Sequence, residues 1–158
     1  AEIYMIGWVI GKCALQKEHK LLKDLVDISK NEPIPAYVPV HLFYRYRSRH
    51  SPIRKPVREL IAPGVVFIQA GYSKINLIRD AGPALRNFEG FVLDSYGEVP
   101  YVIPHDAMTQ FMIAVDRTNL FVEQMEQEAL GRIGEAKKTT WRKLGDDVRA
   151  KLYAMVGM

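Results

Sequence analysis

The chain has 158 residues, 48% apolar and 25% charged, which suits one globular domain with at most a small appendage. No run approaches the roughly 18 uncharged apolar residues of a membrane span, and the start Ala1-Glu2-Ile3-Tyr4 lacks the basic region of a secretory signal, so the expectation is a cytoplasmic protein. A single cysteine, Cys13, excludes an internal disulfide framework and a cysteine metal cluster, and the net charge of +4 is unevenly placed.

The unevenness is informative. Residues 41–58 carry Arg45, Arg47, Arg49, Arg54, Lys55 and Arg58 and no acid, so the remaining 16 cations and 18 acids leave the rest of the chain at −2. A concentrated basic segment points to a polyanionic partner or to a solvated surface.

Taken in order, Ile3–Ile10 is an apolar, β-branched and aromatic run that predicts a buried strand. Gln16–Lys30 predicts a helix with Leu15, Leu22, Leu25, Val26 and Ser29 near one face, ended by Asn31-Glu32-Pro33. Residues 36–47 alternate with period two. Ala36, Val38, Val40, Leu42, Tyr44 and Tyr46 point one way, and His41, Phe43, Arg45 and Arg47 the other. A return strand over Val57–Ile61 would close a long basic hairpin. Val65–Ile68, apolar at every position, predicts a central strand. Ser73–Asp80 predicts a short helix. Gly90–Leu93 and Val99–Val102 flank a turn at Tyr96-Gly97. A long helical pattern then runs from Ala107 to about Arg132, with Met108, Phe111, Met112, Val115, Leu120 and Phe121 as apolar positions.

Catalytic motifs are missing. His19, His41, His50 and His105 have no metal-ligand spacing, and no nucleophile elbow or dinucleotide-binding loop is present. Asp94, Glu98 and Asp106 would have to meet in space to hold a metal. The sequence therefore reads as a binding protein, with no enzyme activity, cofactor or metal expected.

The order of these pieces resembles the N-terminal (NGN) domain of NusG-type transcription elongation and antitermination factors, over roughly residues 3–115. Trp8-Val9-Ile10 resembles the family's opening strand, and Glu18 stands ten residues after Trp8, as the family's first-helix glutamate does. Tyr37-Val38-Pro39 is similar to the end of the first crossover. Leu60-Ile61-Ala62-Pro63-Gly64-Val65-Val66-Phe67-Ile68 is the most specific match, to an apolar–Phe–Pro–Gly–Tyr–apolar–Phe–Val block. Ala62 and Val65 depart from it where the family usually has Phe and Tyr. Gly90-Phe91-Val92, Gly97-Glu98-Val99-Pro100 and Ile103-Pro104 resemble the closing pattern.

The resemblance implies an α+β fold: a four-stranded, mainly antiparallel sheet flanked by helices, with a basic β-hairpin and a helical C-terminal extension. Its divisions would be residues 1–115, a helical extension or linker over 116–142, and residues 143–158. There, Lys143–Arg149 is similar to the entry of the family's KOW barrel, with nine residues left after it. A truncated or degenerate barrel and a helical tail are both open, since Val148, Leu152, Met155 and Val156 have helical spacing.

For function, the resemblance implies a monomer that binds RNA polymerase on the clamp helices of its largest subunit, bridges the cleft and modulates pausing or termination. The implied polymerase contacts are Trp8, Ala62, Pro63, Val65, Phe67, Phe91, Tyr96, Met108 and Phe111, with Ser73 and Lys74 reaching the opposite pincer. Implied contacts to non-template or upstream DNA are Lys12, Lys17, His19, Lys20, Lys23 and Arg86, together with the hairpin's Arg45, Arg47, Arg49 and Arg54. The alternative is a stand-alone DNA- or RNA-binding module that uses the hairpin without polymerase. A self-associating protein built on the long helix comes third.

Overall fold

The computed structural model describes residues 7–29, 33–46, 54–129 and 138–156. Its elements in chain order are β1 (Gly7–Cys13), α1 (Glu18–Ile28), β2 (Ala36–Tyr37), β3 (Val40–Tyr46), β4 (Arg54–Leu60), β5 (Val65–Gln69), α2 (Tyr72–Asp80), a 3-10 turn (Gly82–Leu85), β6 (Phe88–Phe91), β7 (Ile103–Pro104), α3 (His105–Ala129) and α4 (Lys138–Met155). They form two compact units, Ala1–Val38 with Ala62–Met108, and Pro39–Ile61 with Thr109–Met158. The fold is mixed α+β with antiparallel pairing throughout.

The first unit is built around β1, and its sheet runs β2-β5-β1-β6. β6 pairs with the Gly11–Cys13 end of β1 and β7 with its Gly7–Trp8 end, so the two short strands share one edge. In chain order β1, α1, β2, β5, α2 and β6 make a split βαβ arrangement. The β3–β4 hairpin is inserted between its second and third strands. Side chains alternate across the sheet. On one face Val9, Cys13, Val66 and Ile68 pack with Leu21 and Leu25 of α1, Ile75 and Ile78 of α2, and Leu85. Each such burial contributes about 1.5–3 kcal/mol. On the other face Trp8, Ile10, Phe67 and Ile103 are also buried, so this sheet is apolar on both sides, as the run at 65–68 predicted.

The α1 periodicity needs correcting. Its buried residues are Glu18, Leu21 and Leu25, while Leu15 is 69% and Val26 65% exposed. The packed stripe is rotated because Glu18 turns inward. The Glu18 carboxylate accepts a hydrogen bond from the Gly64 backbone N–H at 2.7 Å. Ser29 closes the helix by donating its hydroxyl to the Leu25 carbonyl at 2.7 Å.

The second unit begins where the predicted 36–47 strand breaks. Pro39 lacks an N–H and cannot continue the ladder; its carbonyl accepts from the Ile61 N–H at 3.1 Å. Beyond this break β3 and β4 form a separate two-stranded sheet, in register from Val40↔Leu60 to Tyr46↔Arg54. Leu42 packs with Val122 of α3, and Phe43, Tyr44, Met125 and Leu144 border them. The Asn119 side chain holds the outer edge of β3, accepting from the Leu42 N–H and donating to the Val40 carbonyl, both at 2.9 Å.

The linear divisions at 115/116 and 142/143 are not where the molecule divides. α3 runs unbroken from His105 to Ala129, and residues 143–155 lie within α4. Of the two readings of the tail, the helix is the one found, and the barrel-like strand entry is not formed. Val148 and Leu152 are buried along it, at the helical spacing read from the sequence. Gly145 lets α4 approach β3, since a Cβ there would lie 2.8 Å from His41 Cδ2. Arg149 Nε donates to the Ile61 carbonyl at 3.2 Å.

Candidate functional site

The Pro63-Gly64 turn sits in the most specific sequence block. Gly64 has φ +77°, a left-handed conformation that favours glycine. Its carbonyl accepts from the Cys13 N–H at 3.0 Å while its own N–H is held by Glu18. A hydrogen-bonded glutamate inside the unit thus fixes the loop between β4 and β5. Pro63 is exposed there, and Ala62 and Val65 are half-buried.

The expected docking residues divide sharply by burial. Trp8, Phe67, Phe91, Met108 and Phe111 are all buried, so none presents a side chain at the surface, which corrects their reading as an exposed patch. The physical reason is that both sheet faces are covered, and apolar periodicity alone does not distinguish a core position from a contact position. The Trp8 indole N–H is buried without a partner among the described residues. Tyr96 is different. It is 83% exposed in a turn set by Asp94, whose backbone carbonyl accepts from Gly97 N–H at 3.0 Å and whose carboxylate accepts from Glu98 N–H at 3.1 Å. Leu93, Val99 and Val102 around this turn are exposed as well. Asp94 therefore organises a turn. Ser73 is exposed and Lys74 half-buried in the first turn of α2, whose N-cap is Gly71.

The cations of α1 gather with a later arginine. Lys12, His19, Lys20, Lys23 and Arg86 are exposed and Lys17 is half-buried. Lys20 is held below the ordinary lysine value, first by hydrogen bonding with Lys17, then by the Lys17 charge, desolvation and the Arg86 charge. Lys17, Lys20 and Arg86 are therefore one cluster of like charge. Asn87 anchors the segment after Arg86 to α1 by donating to Asp24 at 3.0 Å.

The hairpin arginines do not act alike. Arg45 is exposed, its guanidinium 5.5 Å from the Phe43 ring centroid. Arg54 pairs with Glu126 of α3 at 3.2 Å, with side chains only 8% and 6% exposed, so its charge serves the interior of the unit. Arg47 and Arg49 lie outside the described residues. Two exposed cations not singled out from sequence join Arg45. Lys55 stands directly opposite it, and Arg58 stands opposite Leu42. A hairpin centred on residue 50 would have revealed both, because paired positions then sum to 100, as Val40↔Leu60 does.

The neighbourhood of Tyr44 is polar as well. Its hydroxyl is pushed above the ordinary tyrosine value by burial first and then by Glu123 and Glu126, with Arg58 opposing them. Among the described residues no group of histidine, cysteine or acidic side chains is placed to hold a metal ion. No described helix is long and apolar enough to cross a membrane. No protein-family model matches the chain, and no curated protein matches it.

Proposed function

We propose that this chain is a NusG-type transcription elongation or antitermination factor that docks on the clamp helices of RNA polymerase in the cytoplasm. One observation carries this reading. Glu18 and the Pro63-Gly64 block resemble two separate family motifs, 46 positions apart in the chain, and they meet at a 2.7 Å hydrogen bond. Motifs that match independently and then join in space are expected of a shared architecture. A split βαβ sheet with the basic hairpin between its second and third strands supports the same reading.

On this reading the domain does no covalent chemistry. A protein that spans the polymerase cleft and binds the closed clamp better than the open one shifts the population toward the elongating state. The contact residues would come from what is exposed: Pro63, Tyr96 and the apolar side chains flanking Tyr96. The Lys17, Lys20 and Arg86 cluster would face the exposed DNA strand.

Co-elution with core RNA polymerase tests this directly. The protein should co-elute with the intact enzyme and not with one lacking its clamp helices, and Tyr96→Ala should weaken the complex while leaving the fold intact. Equal binding to the clamp-helix deletion would refute the reading.

A further inference from the structure

The β3–β4 hairpin carries charge that its own fold does not use. Arg45 and Lys55 face each other across the two strands, an arrangement in which like charges repel and weaken the pairing. Both are exposed, and among the described residues neither has a carboxylate partner. Arg58, three positions further along the strand of Lys55, is exposed too. Arg54 marks the contrast, because Glu126 neutralises it inside the unit. One cation thus holds the hairpin to α3, and three are left to solvent.

We propose that this hairpin, through the Arg45–Lys55 pair and Arg58 on the same ribbon, binds the phosphate backbone of duplex DNA. Three exposed cations on one ribbon suit a ligand of dense, regular negative charge. The shape selects among such ligands. Two strands about 5 Å apart and seven residues long form a ribbon of the kind the major groove of B-form DNA admits. A ribbon in a groove has a phosphate strand on either side, so cations on both of its faces are within use. The major groove of an RNA duplex is too deep and narrow for it. Single strands are held mainly by stacking on open aromatic faces, and Phe43 is half-buried beneath Arg45. The inference does not depend on polymerase docking, and either can fail without the other.

The test is fluorescence anisotropy of a short labelled DNA duplex with the full chain across a salt series. Three phosphate contacts predict a log–log slope of about −2.7, or about a 40-fold loss of affinity between about 50 and 200 mM salt. Arg45→Ala/Lys55→Ala should reduce the slope to about −0.9. Should that variant fold poorly by circular dichroism, the exchange Arg45→Lys/Lys55→Arg must keep the slope, since it keeps the charges. Arg54→Met/Glu126→Leu, which removes the neutralised pair, must also keep it. No duplex binding, an unchanged slope in the alanine variant, a slope lost in the charge-keeping exchange or in the Arg54/Glu126 variant, or tighter binding to single strands or duplex RNA would each overturn the proposal.

Discussion

Removing Glu126 should be among the most damaging single substitutions in the second unit. The Arg54–Glu126 pair joins the start of β4 to α3 at 3.2 Å, with side chains 8% and 6% exposed. At that burial the cost of breaking the pair is set by desolvation. Glu126→Ala leaves a guanidinium in the interior, which costs about 3–5 kcal/mol. In a chain of this size that is a fall in melting temperature of roughly 10 °C. Replacing both partners with apolar side chains of similar volume, Arg54→Met/Glu126→Leu, should cost little, because no charge is left stranded. The exposed pair Arg149–Asp146, also at 3.2 Å but with side chains 31% and 63% exposed, is the internal comparison, and its loss should cost below about 1 kcal/mol. Urea unfolding followed by circular dichroism measures each of these variants. A Glu126→Ala cost below about 1 kcal/mol, or a double variant as unstable as the sum of its singles, would refute the reasoning.

Three further outcomes are expected. Asn119→Ala removes two 2.9 Å hydrogen bonds from the β3 edge and should cost about 1–3 kcal/mol, with faster hydrogen exchange at the Leu42 amide as the local readout. Gly145→Ala, which in an open helix would stabilise by about 1 kcal/mol, should destabilise here because the new Cβ would lie 2.8 Å from the His41 ring, and thermal melts give the sign. The Cys13 thiol is pushed above its ordinary value of 9.0 by burial first and then by Glu18 and Glu89. A raised value in the folded state means its contribution to stability is present below the ordinary thiol value and is lost as pH climbs through the folded one. Stability should therefore fall as pH rises past about 9, Cys13→Val should flatten that fall, and iodoacetamide should react slowly with the native protein at about pH 8.

Much of the first unit was legible because its strands are buried on both faces. Val65–Ile68 has no polar position, and only a central strand accommodates that. The helix over 72–80, the turn at Tyr96-Gly97 and the long helix after Pro104 were likewise readable from periodicity and turn chemistry. The orientation of α1 was not. Glu18 looks like a surface residue in a one-dimensional pattern, and its inward turn depends on a backbone N–H in a distant loop. The same limit explains Trp8, Phe67, Phe91, Met108 and Phe111. Composition identifies them as apolar, and only the layers around them decide that they are core. At the hairpin, charge counting found the right segment, but Arg54 differs from Arg45 only through an acid 72 positions away.

That separation has a consequence for how the second unit forms. A two-stranded hairpin is marginal by itself in water, and this one is held by residues far along the chain: Glu126 at a separation of 72, Asn119 at 79 and Arg149 at 88. Loop closure over such distances grows only as the logarithm of length, about 0.6 kcal/mol per doubling, so the cost is modest at equilibrium. Kinetically it is large, because non-local pairings form late. The hairpin is then the part of the molecule whose order depends on the last residues of the sequence. Its exposed cations keep their cross-strand register only while α3 and α4 hold β3 at Leu42 and His41. Like charge at Arg45 and Lys55 works against that register, and the Asn119 clamp and the Glu126 pair work for it. The two interior contacts, each worth on the order of 1–5 kcal/mol, outweigh one screened surface repulsion of about a few tenths.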